Sequence, residues 1–348
     1  MLFNNIYKNR AVFVTGHTGF KGAWLAAWLD KLGSRICGYA LDVPSEPNLF
    51  SLLNLPIQDV RGDVLDVAAL TTSVQQFEPE IVFHLAAQSL VPLSFQQPLE
   101  TFATNILGTA HLLEVCRQTP SVRAVVIITS DKCYSAGTPA SGGHRETDPL
   151  GGDDPYSASK ACAEIVAASY RQSFLDGRLL VATCRSGNAI GGGDWVVDRL
   201  MPDLIRSAVG GKNAVLRMPQ AVRPWQHVLN PLFGYLLLGQ RLLEGRAEFA
   251  EAWNFGPSLK DHWTVEEIAQ NALEKWDNIR YKTVSDEYSR EVSLLMLDSQ
   301  KAHKNLGWSS PWDLTAGIEK TLSWYRHFYK SGELQTFDQI AEFERGLE

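Results

Sequence analysis

The run Ala11-Val-Phe-Val-Thr15, followed at once by Gly16-His-Thr-Gly19-Phe-Lys-Gly22, constrains this chain more than any other segment. Ala11–Thr15 reads as a buried strand. From Phe20 to Leu32 the pattern is helical, with Phe20, Trp24, Leu25, Trp28, Leu29 and Leu32 on one face and Gly33 as its stop. Glycines in such a turn bend the backbone tightly, admit a pyrophosphate against main-chain N–H groups and let helix approach strand, while the helix N-terminus adds its dipole. The turn therefore reads as a dinucleotide site. Its G-x-x-G-x-x-G spacing departs from the commoner G-x-G-x-x-G, and the absence of G-x-x-x-x-G-K-[ST] disfavours a nucleoside triphosphatase. His17 and Lys21 read as solvated turn residues.

Further strands are expected at Ser34–Ala40, Ile57–Arg61, Ile81–Leu85, Ala124–Ser130 and Leu179–Arg185, separated by helices near Val67–Phe77, Thr101–Gln118 and Ser157–Phe174. Strands alternating with helices predict an α/β fold, a doubly wound parallel sheet of the Rossmann type, with a smaller C-terminal substrate-binding domain. The texture changes after Arg185, where Gly191-Gly-Gly193 and then Pro, Trp and Arg punctuate the chain. Ala252-Trp-Asn-Phe-Gly256 reads as a buried strand returning to the first sheet, and Val265–Trp276 and Leu314–Tyr329 as helices. The boundary is thus discontinuous: residues 1–185 with about 226–260 form a dinucleotide-binding domain, and residues 186–225 with about 261–348 the substrate-binding domain. The last dozen residues read as a solvated tail.

Composition narrows the partners. The 348 residues are 45% hydrophobic and 20% charged, with a net charge of −7, which argues against holding nucleic acid or an anionic bilayer by bulk electrostatics. Any anionic ligand must be met locally. Five widely spaced cysteines (Cys37, Cys116, Cys133, Cys162, Cys184) indicate neither a disulfide framework nor a zinc site, so no metal is expected. No signal-peptide core is visible and no apolar run approaches the ~18 residues of a membrane span, which points to the cytoplasm.

From Ile36 to Val60 there is no Lys or Arg, and Asp42 falls just after the second strand, so a 2′-phosphate finds little cationic help and NAD is expected rather than NADP. Arg35, Arg61 and Lys21 are the cations able to reverse that. Asp63, after the third strand, serves equally well as a partner for the adenine edge or as a capping aspartate.

Tyr156-Ser-Ala-Ser-Lys160 puts a phenol and an ammonium at i and i+4 on one helix face, where Lys160 lowers the Tyr156 pKa and makes the phenolate a usable base. The pair is weak evidence alone. Order strengthens it: glycine turn, then Thr129-Ser130-Asp131-Lys132 at the end of the fifth strand, then Tyr156 and Lys160 opening the next helix, with active groups at the carboxyl ends of parallel strands.

With that order the chain resembles the extended short-chain dehydrogenase/reductase family across nearly its whole length, and within it the nucleotide-sugar 4,6-dehydratases, in their cytidine-nucleotide branch. The matching residues are Thr15–Gly22, His84-Leu-Ala-Ala-Gln88, Thr129-Ser-Asp-Lys-Cys-Tyr134, Asp154-Pro-Tyr-Ser-Ala-Ser-Lys160, Gly187-Asn-Ala-Ile-Gly-Gly-Gly-Asp-Trp195 and Arg223-Pro-Trp-Gln-His-Val228. Ser130-Asp131-Lys132 discriminates most: other members of the group usually show Thr-Asp-Glu there, and the 4-epimerases lack the acidic pair.

The resemblance implies oxidation at sugar C4, elimination of water across C5 and C6, and return of the hydride to C6. It implies Tyr156, aided by Lys160 and Ser130, as base at the C4 hydroxyl, Asp131 as acid at C6 and Lys132 as base at C5. An exposed lysine, with a pKa of about 10.4, is no base at neutral pH, so Lys132 must be desolvated or lie beside another cation such as Lys160. Cys133 reads as a packed thiol.

For NAD the resemblance implies Gly16, Thr18, Gly19, Phe20, Gly22, Asp42, Asp63, Val64, Leu85, Ala86, Thr104, Tyr156 and Lys160. For the nucleotide sugar it implies Gln88, Asn188, Trp195, Arg199, Arg217, Arg223, Trp225 and, in the Arg290-Glu-Val-Ser293 segment, Glu291. Residues 199–223 hold five cations against Asp203 alone, a place to grip a diphosphate, with Arg223 foremost. Trp24, Trp28 and Trp324 have core spacing. The resemblance also implies a homodimer formed through the helices near Thr101–Gln118 and Ser157–Phe174, with Leu112, Leu113, Ile165 and Val166 as outward apolar residues, and a role in deoxysugar synthesis for surface polysaccharide. A 4-epimerase, which needs neither Asp131 nor Lys132, and a redox-sensing binding module are the competing readings.

Overall fold

Short apolar runs pair side by side because a parallel strand covered on both faces by helices must be apolar throughout. The computed structural model describes residues 2–135, 137, 142–174, 177–284 and 294–347. Its strands, in chain order, are β1 (Ala11–Thr15), β2 (Arg35–Ala40), β3 (Gln58–Arg61), β4 (Ile81–His84), β5 (Ala124–Ile128), β6 (Leu180–Ser186), β7 (Ala189–Ile190), β8 (Ala214–Leu216), β9 (Val222–Arg223), β10 (Gln226–His227), β11 (Ala252–Phe255), β12 (Trp263–Thr264) and β13 (Tyr281–Thr283). Seven of them form one parallel sheet in the order β11-β6-β5-β4-β1-β2-β3. The Ala252–Phe255 run does return to that sheet, beside β6. The other six pair two by two: β7 with β10, β8 with β13 and β9 with β12.

The helices are α1 (Phe20–Lys31), α2 (Leu49–Leu53), α3 (Val67–Phe77), α4 (Val91–Gln96), α5 (Pro98–Phe102), α6 (Gly108–Gln118), α7 (Pro155–Ser173), α8 (Leu200–Gly210), α9 (Leu229–Leu243), α10 (Val265–Lys275), α11 (Leu314–Ser331) and α12 (Thr336–Arg345). Buried residues of α3, α6 and α7 pack on one face of the sheet, and those of α1, α9, α11 and α12 build the larger core on the other. Local chemistry sets the start of α7: Pro155 occupies its first turn, and the Asp154 carboxylate accepts from the Ser157 N–H at 2.9 Å. That cap brings Tyr156 into the first turn and Lys160 one turn on.

Four expectations need correction. The helix expected from Thr101 begins at Pro98 and passes through a wider π turn, Ala103–Leu107, before α6. Helix α1 is buried on every side from Gly22 to Leu29 rather than along one stripe. The C-terminus explains this, because residues 336–345 form α12 instead of a solvated tail and cover the outer face of α1. Ile340 and Phe343 are fully buried, Phe343 meets Trp28, Phe233 and Trp312 with centroids 5.6, 6.2 and 5.2 Å away, and the Trp28 indole donates to Glu344 at 2.9 Å. Lastly, Leu112 and Leu113 point into the core and Val166 is half-buried against it, while Leu99, Leu107, Ile165 and Phe174 are exposed. Trp24, Trp28 and Trp324 are core residues, as their spacing predicts.

Among the described residues no helix is long and apolar enough to cross a membrane, and all five cysteines are unpaired. Truncating Phe343 opens a cavity among three aromatic rings. Phe343→Ala is expected to destabilise the fold by about 3–5 kcal/mol, read from the urea midpoint; an unchanged midpoint would show that α12 does not carry this load.

Candidate active site

β1, β4, β5 and β6 finish at one edge of the sheet, with Thr15 opposite His84, His84 opposite Ile127 and Ile128 opposite Cys184, so that β5 and β6 run one and then two residues further. The loops leaving that edge enclose a cleft of about 1020 Å³. Its floor is the glycine turn. Gly16 takes φ +74°, and a Cβ on Gly22 would lie 2.1 Å from the Gly16 carbonyl oxygen, so these two positions are needed for α1 to seat against β1. Gly19 differs: an added Cβ meets only the Gly16 oxygen, at 3.4 Å, and its open side is the cleft. As the N-cap of α1 it supplies no side-chain capping bond, which leaves the first-turn N–H groups to an anion. This cradle fits the pyrophosphate of NAD.

All thirteen positions expected for the dinucleotide line the same cleft. Asp42 stands exposed on its wall. The Asp63 carboxylate accepts from the Leu65 N–H at 2.9 Å, a local turn bond; the cap of α3 is Asp66. Of the cations able to reverse the choice of NAD, Arg61 and Arg35 are committed elsewhere. Arg61 donates to Asp59 at 2.8 Å and to the Leu41 carbonyl at 3.1 Å, and Arg35 lies over the Phe77 ring at the far end of β2.

His17 and Lys21 are not free turn residues: the first is buried and the second half-buried. His17 is fully buried, its Nε2 2.8 Å from Asp59 Oδ1, and burial pushes its pKa down; it fills the space that Gly38 leaves. Lys21 lies on the cleft wall and donates to Ser186 Oγ at 3.1 Å. Burial pushes its amine down to about 8, with Asp131 opposing and Arg199 reinforcing the shift. The sequence did hold one signal, a cation in the first turn of a helix, where it opposes the dipole.

The reacting end gathers at the exit of β5. Ser130 caps a single 3₁₀ turn, Asp131–Cys133, accepting from the Lys132 N–H at 3.2 Å and donating to Asp131 Oδ1 at 2.9 Å. Asp131 is buried, which raises its pKa against the pull of Lys132, Ser130, Lys21 and Arg223. Its Oδ2 has no partner among the described residues.

Tyr156 and Lys160 face the same cleft, yet not with the electrostatics the spacing predicts. Burial pushes the Tyr156 phenol up to about 12, and the groups pulling it down are Ser130 and Arg199. The Lys160 ammonium instead donates to the Ile128 carbonyl at 3.1 Å, and burial together with Lys21 lowers it to about 8. The cation beside Lys160 is therefore Lys21. Lys132 also lines the cleft, and Cys133 is a buried thiol.

Of the residues expected for the nucleotide sugar, Gln88, Asn188, Arg199, Arg217, Arg223 and Trp225 line the cleft. Arg199 bridges Asp194 and Ser89, both at 2.9 Å, and the Trp225 indole N–H is buried without a partner among the described residues. Gln88 is turned inward: its amide donates to the Leu90 carbonyl and Thr101, and accepts from the Leu90 N–H, so it braces its own loop. Trp195 does not reach the cleft. It packs among Trp324, Tyr325 and Phe328 and donates to Tyr329, because a buried indole takes the nearest aromatic cluster. Glu291 lies outside the described residues.

The model of the family described as GDP-mannose 4,6 dehydratase matches residues 13–321. Over 343 residues the chain is 44% identical to the CDP-glucose 4,6-dehydratase of Salmonella typhimurium, covering 96% of this chain and 95% of that one. It is 25% identical over 336 residues to the dTDP-glucose 4,6-dehydratase of Xanthomonas campestris, covering 90% and 92%. The structure of the Streptomyces venezuelae dTDP-glucose 4,6-dehydratase DesIV, with NAD and TYD bound, superposes with a TM-score of 0.79 at 25% identity, covering 91% and 97%. The UDP-glucose-4-epimerase of Stenotrophomonas maltophila, with NAD bound, shares the fold at a TM-score of 0.80 and 22% identity, covering 92% and 99%.

The two glycines make a clean contrast. Gly19→Ala is expected to fold with a near-native melting temperature and to weaken NAD binding by about tenfold or more, measured calorimetrically, because its methyl enters the anion cradle. Gly22→Ala is expected to lower the melting temperature itself. Equal NAD affinity in Gly19→Ala and the unaltered chain would move the pyrophosphate elsewhere.

Proposed function

We propose that this chain, which belongs to the GDP-mannose 4,6-dehydratase family, converts CDP-D-glucose to CDP-4-keto-6-deoxy-D-glucose and water. It is an NAD-dependent carbon–oxygen lyase. The observation that carries the reading is Asp131: a buried carboxyl, biased towards its protonated form, with one oxygen unpartnered on the wall that Ser130 and Tyr156 share. A 4-epimerase has no use for such an acid, whereas elimination of a C6 hydroxyl needs one.

NAD, when bound, supplies the acceptor for the C4 hydride and the donor that returns it to C6. The chain does the rest. Tyr156 takes the C4 hydroxyl proton, with Ser130 and Arg199 favouring the phenolate against burial. Once C4 is a ketone, the C5 proton is acidic and Lys132 removes it. Asp131 then gives its proton to the C6 hydroxyl, which leaves as water, and C5 is reprotonated when the hydride reaches C6. Arg223, Arg199 and Arg217 receive the diphosphate, a dianion that the net charge of −7 would otherwise repel. Asn188 and the free indole N–H of Trp225 complete that wall.

Residues 1–185 with about 226–260 serve the dinucleotide, and residues 186–225 with about 261–348 the nucleotide sugar. The enzyme works in the cytoplasm, where its product feeds deoxysugar synthesis for surface polysaccharide such as O-antigen. It acts as a homodimer, a reading supported by Leu99, Leu107 and Ile165, apolar side chains left in water on α5, the π turn and α7.

Three measurements test this. Purified protein incubated with CDP-glucose, without any added electron acceptor, is expected to yield the alkali-developed chromophore of a 4-ketosugar; recovery of a C4-inverted sugar with its C6 oxygen intact would instead indicate an epimerase. In the same assay run in deuterium oxide, Lys132→Ala is expected to lose C5 deuteration more than C4 oxidation, and unchanged exchange removes Lys132 from the base role. By sedimentation the protein is expected to run as a dimer and Leu107→Glu as a monomer; a monomeric parent chain refutes the interface.

A further inference from the structure

Behind the cleft lies a polar cluster that no step above uses. Glu164 on α7 and Arg185 on β6 form an ion pair at 2.8 Å, both nearly inaccessible to solvent. Such pairs contribute little net stability, since desolvation offsets their attraction, and apolar substitutes often do as well. What they do supply is direction, because every lone pair and N–H must be aimed at a partner.

Here the partners bracket one segment. Thr129, immediately before the catalytic turn, donates its hydroxyl to Glu164 Oε1 at 2.5 Å. Tyr134, immediately after it, accepts from Arg185 at 3.0 Å and donates to Asn254 Oδ1 at 2.6 Å, with the guanidinium 5.0 Å from its ring centre. Thr183 donates to Glu164 Oε2 at 2.8 Å, and Arg185 also donates to the Glu146 carbonyl. The two halves of one buried ion pair thus hold the residues on either side of Ser130-Asp131-Lys132-Cys133. Glu164 also stands one turn beyond Lys160 on α7, so the helix bearing Tyr156 and Lys160 is referenced to the same pair.

We infer that the Glu164–Arg185 pair, acting through the hydroxyls of Thr129 and Tyr134, sets the position of Asp131 and Lys132 relative to Tyr156. These are positioning residues for the elimination half of the reaction. A single 3₁₀ turn has too few internal hydrogen bonds to fix its own place, so the acid and base are only as well aimed as their flanks. A misplacement of about an ångström costs on the order of a hundredfold in rate. Tyr156 is seated separately, in the first turn of α7 behind the Asp154 cap, so C4 oxidation is less exposed to the loss. The inference rests on the dehydratase reading.

Tyr134→Phe is the sharpest probe, since it keeps the ring, stacked 4.6 Å from His144, and deletes only the hydroxyl. With CDP-glucose, we expect kcat to fall about tenfold or more, KM to stay within about twofold, and the melting temperature to change little. In single turnovers the near-ultraviolet absorbance of the reduced nicotinamide should persist, because elimination slows while C4 oxidation does not. Thr129→Val should behave alike and Thr129→Ser should recover, as it restores the hydroxyl. Unchanged kcat in both Tyr134→Phe and Thr129→Val, or losses that simply track the melting temperature without persistent absorbance, overturns the inference. Inactivity of the unaltered chain towards CDP-glucose overturns the dehydratase reading instead.

Discussion

The shared carboxyl edge of β1, β4, β5 and β6 is the constraint on which the site depends. Parallel pairing in register places Thr15, His84, Ile128 and Ser186 at one rim, and every loop leaving them opens into the same cleft. The rim is tied across the strands as well: Thr15 Oγ1 lies 2.7 Å from His84 Nδ1, and His84 Nε2 is 3.2 Å from Thr109. Buried imidazole and hydroxyl satisfy each other there, so the strand ends cannot slip without leaving polar groups unpaired. A one-residue shift of β5 would carry Ser130 and Asp131 to the opposite face.

Burial at that rim does chemical as well as structural work. It raises the pKa of Asp131 and lowers those of Lys21 and Lys160 to about 8, favouring the neutral form of acid and amine alike. The phenol of Tyr156 is pushed up by the same cause and depends on Ser130 and Arg199 to recover. Desolvation therefore suits an enzyme that needs a proton donor at C6, and it exacts a cost at the C4 base. The Glu164–Arg185 pair keeps both of its charges despite burial, because each faces the other.

Much of this was legible in one dimension. Strand and helix periods, the glycine spacing and the Asp154-Pro155 cap locate the sheet, the cofactor turn and Tyr156 to within a residue or two, since each depends on neighbours a few positions away. The failures share a different cause. α12 reads as polar tail because its apolar residues, Ile340 and Phe343, acquire meaning only against Trp28 and Trp312. Trp195 sits inside a matching motif but turns towards α11, and Leu112 and Leu113 turn inward where outward faces were expected. Gln88 is at the cleft yet spends its amide on its own loop.

The sequence by itself determined the parallel α/β fold, the glycine turn and the order of the reactive residues, all of which are properties of local spacing, and its motifs carried the resemblance to nucleotide-sugar dehydratases. Only the tertiary structure decided that His17 is buried and Lys21 half-buried on the cleft wall, that Lys160 meets Lys21 and the Ile128 carbonyl, and that Thr129 and Tyr134 are held by a single ion pair. Desolvation and hydrogen-bond partnership arise between residues far apart in the chain, and no periodicity encodes them.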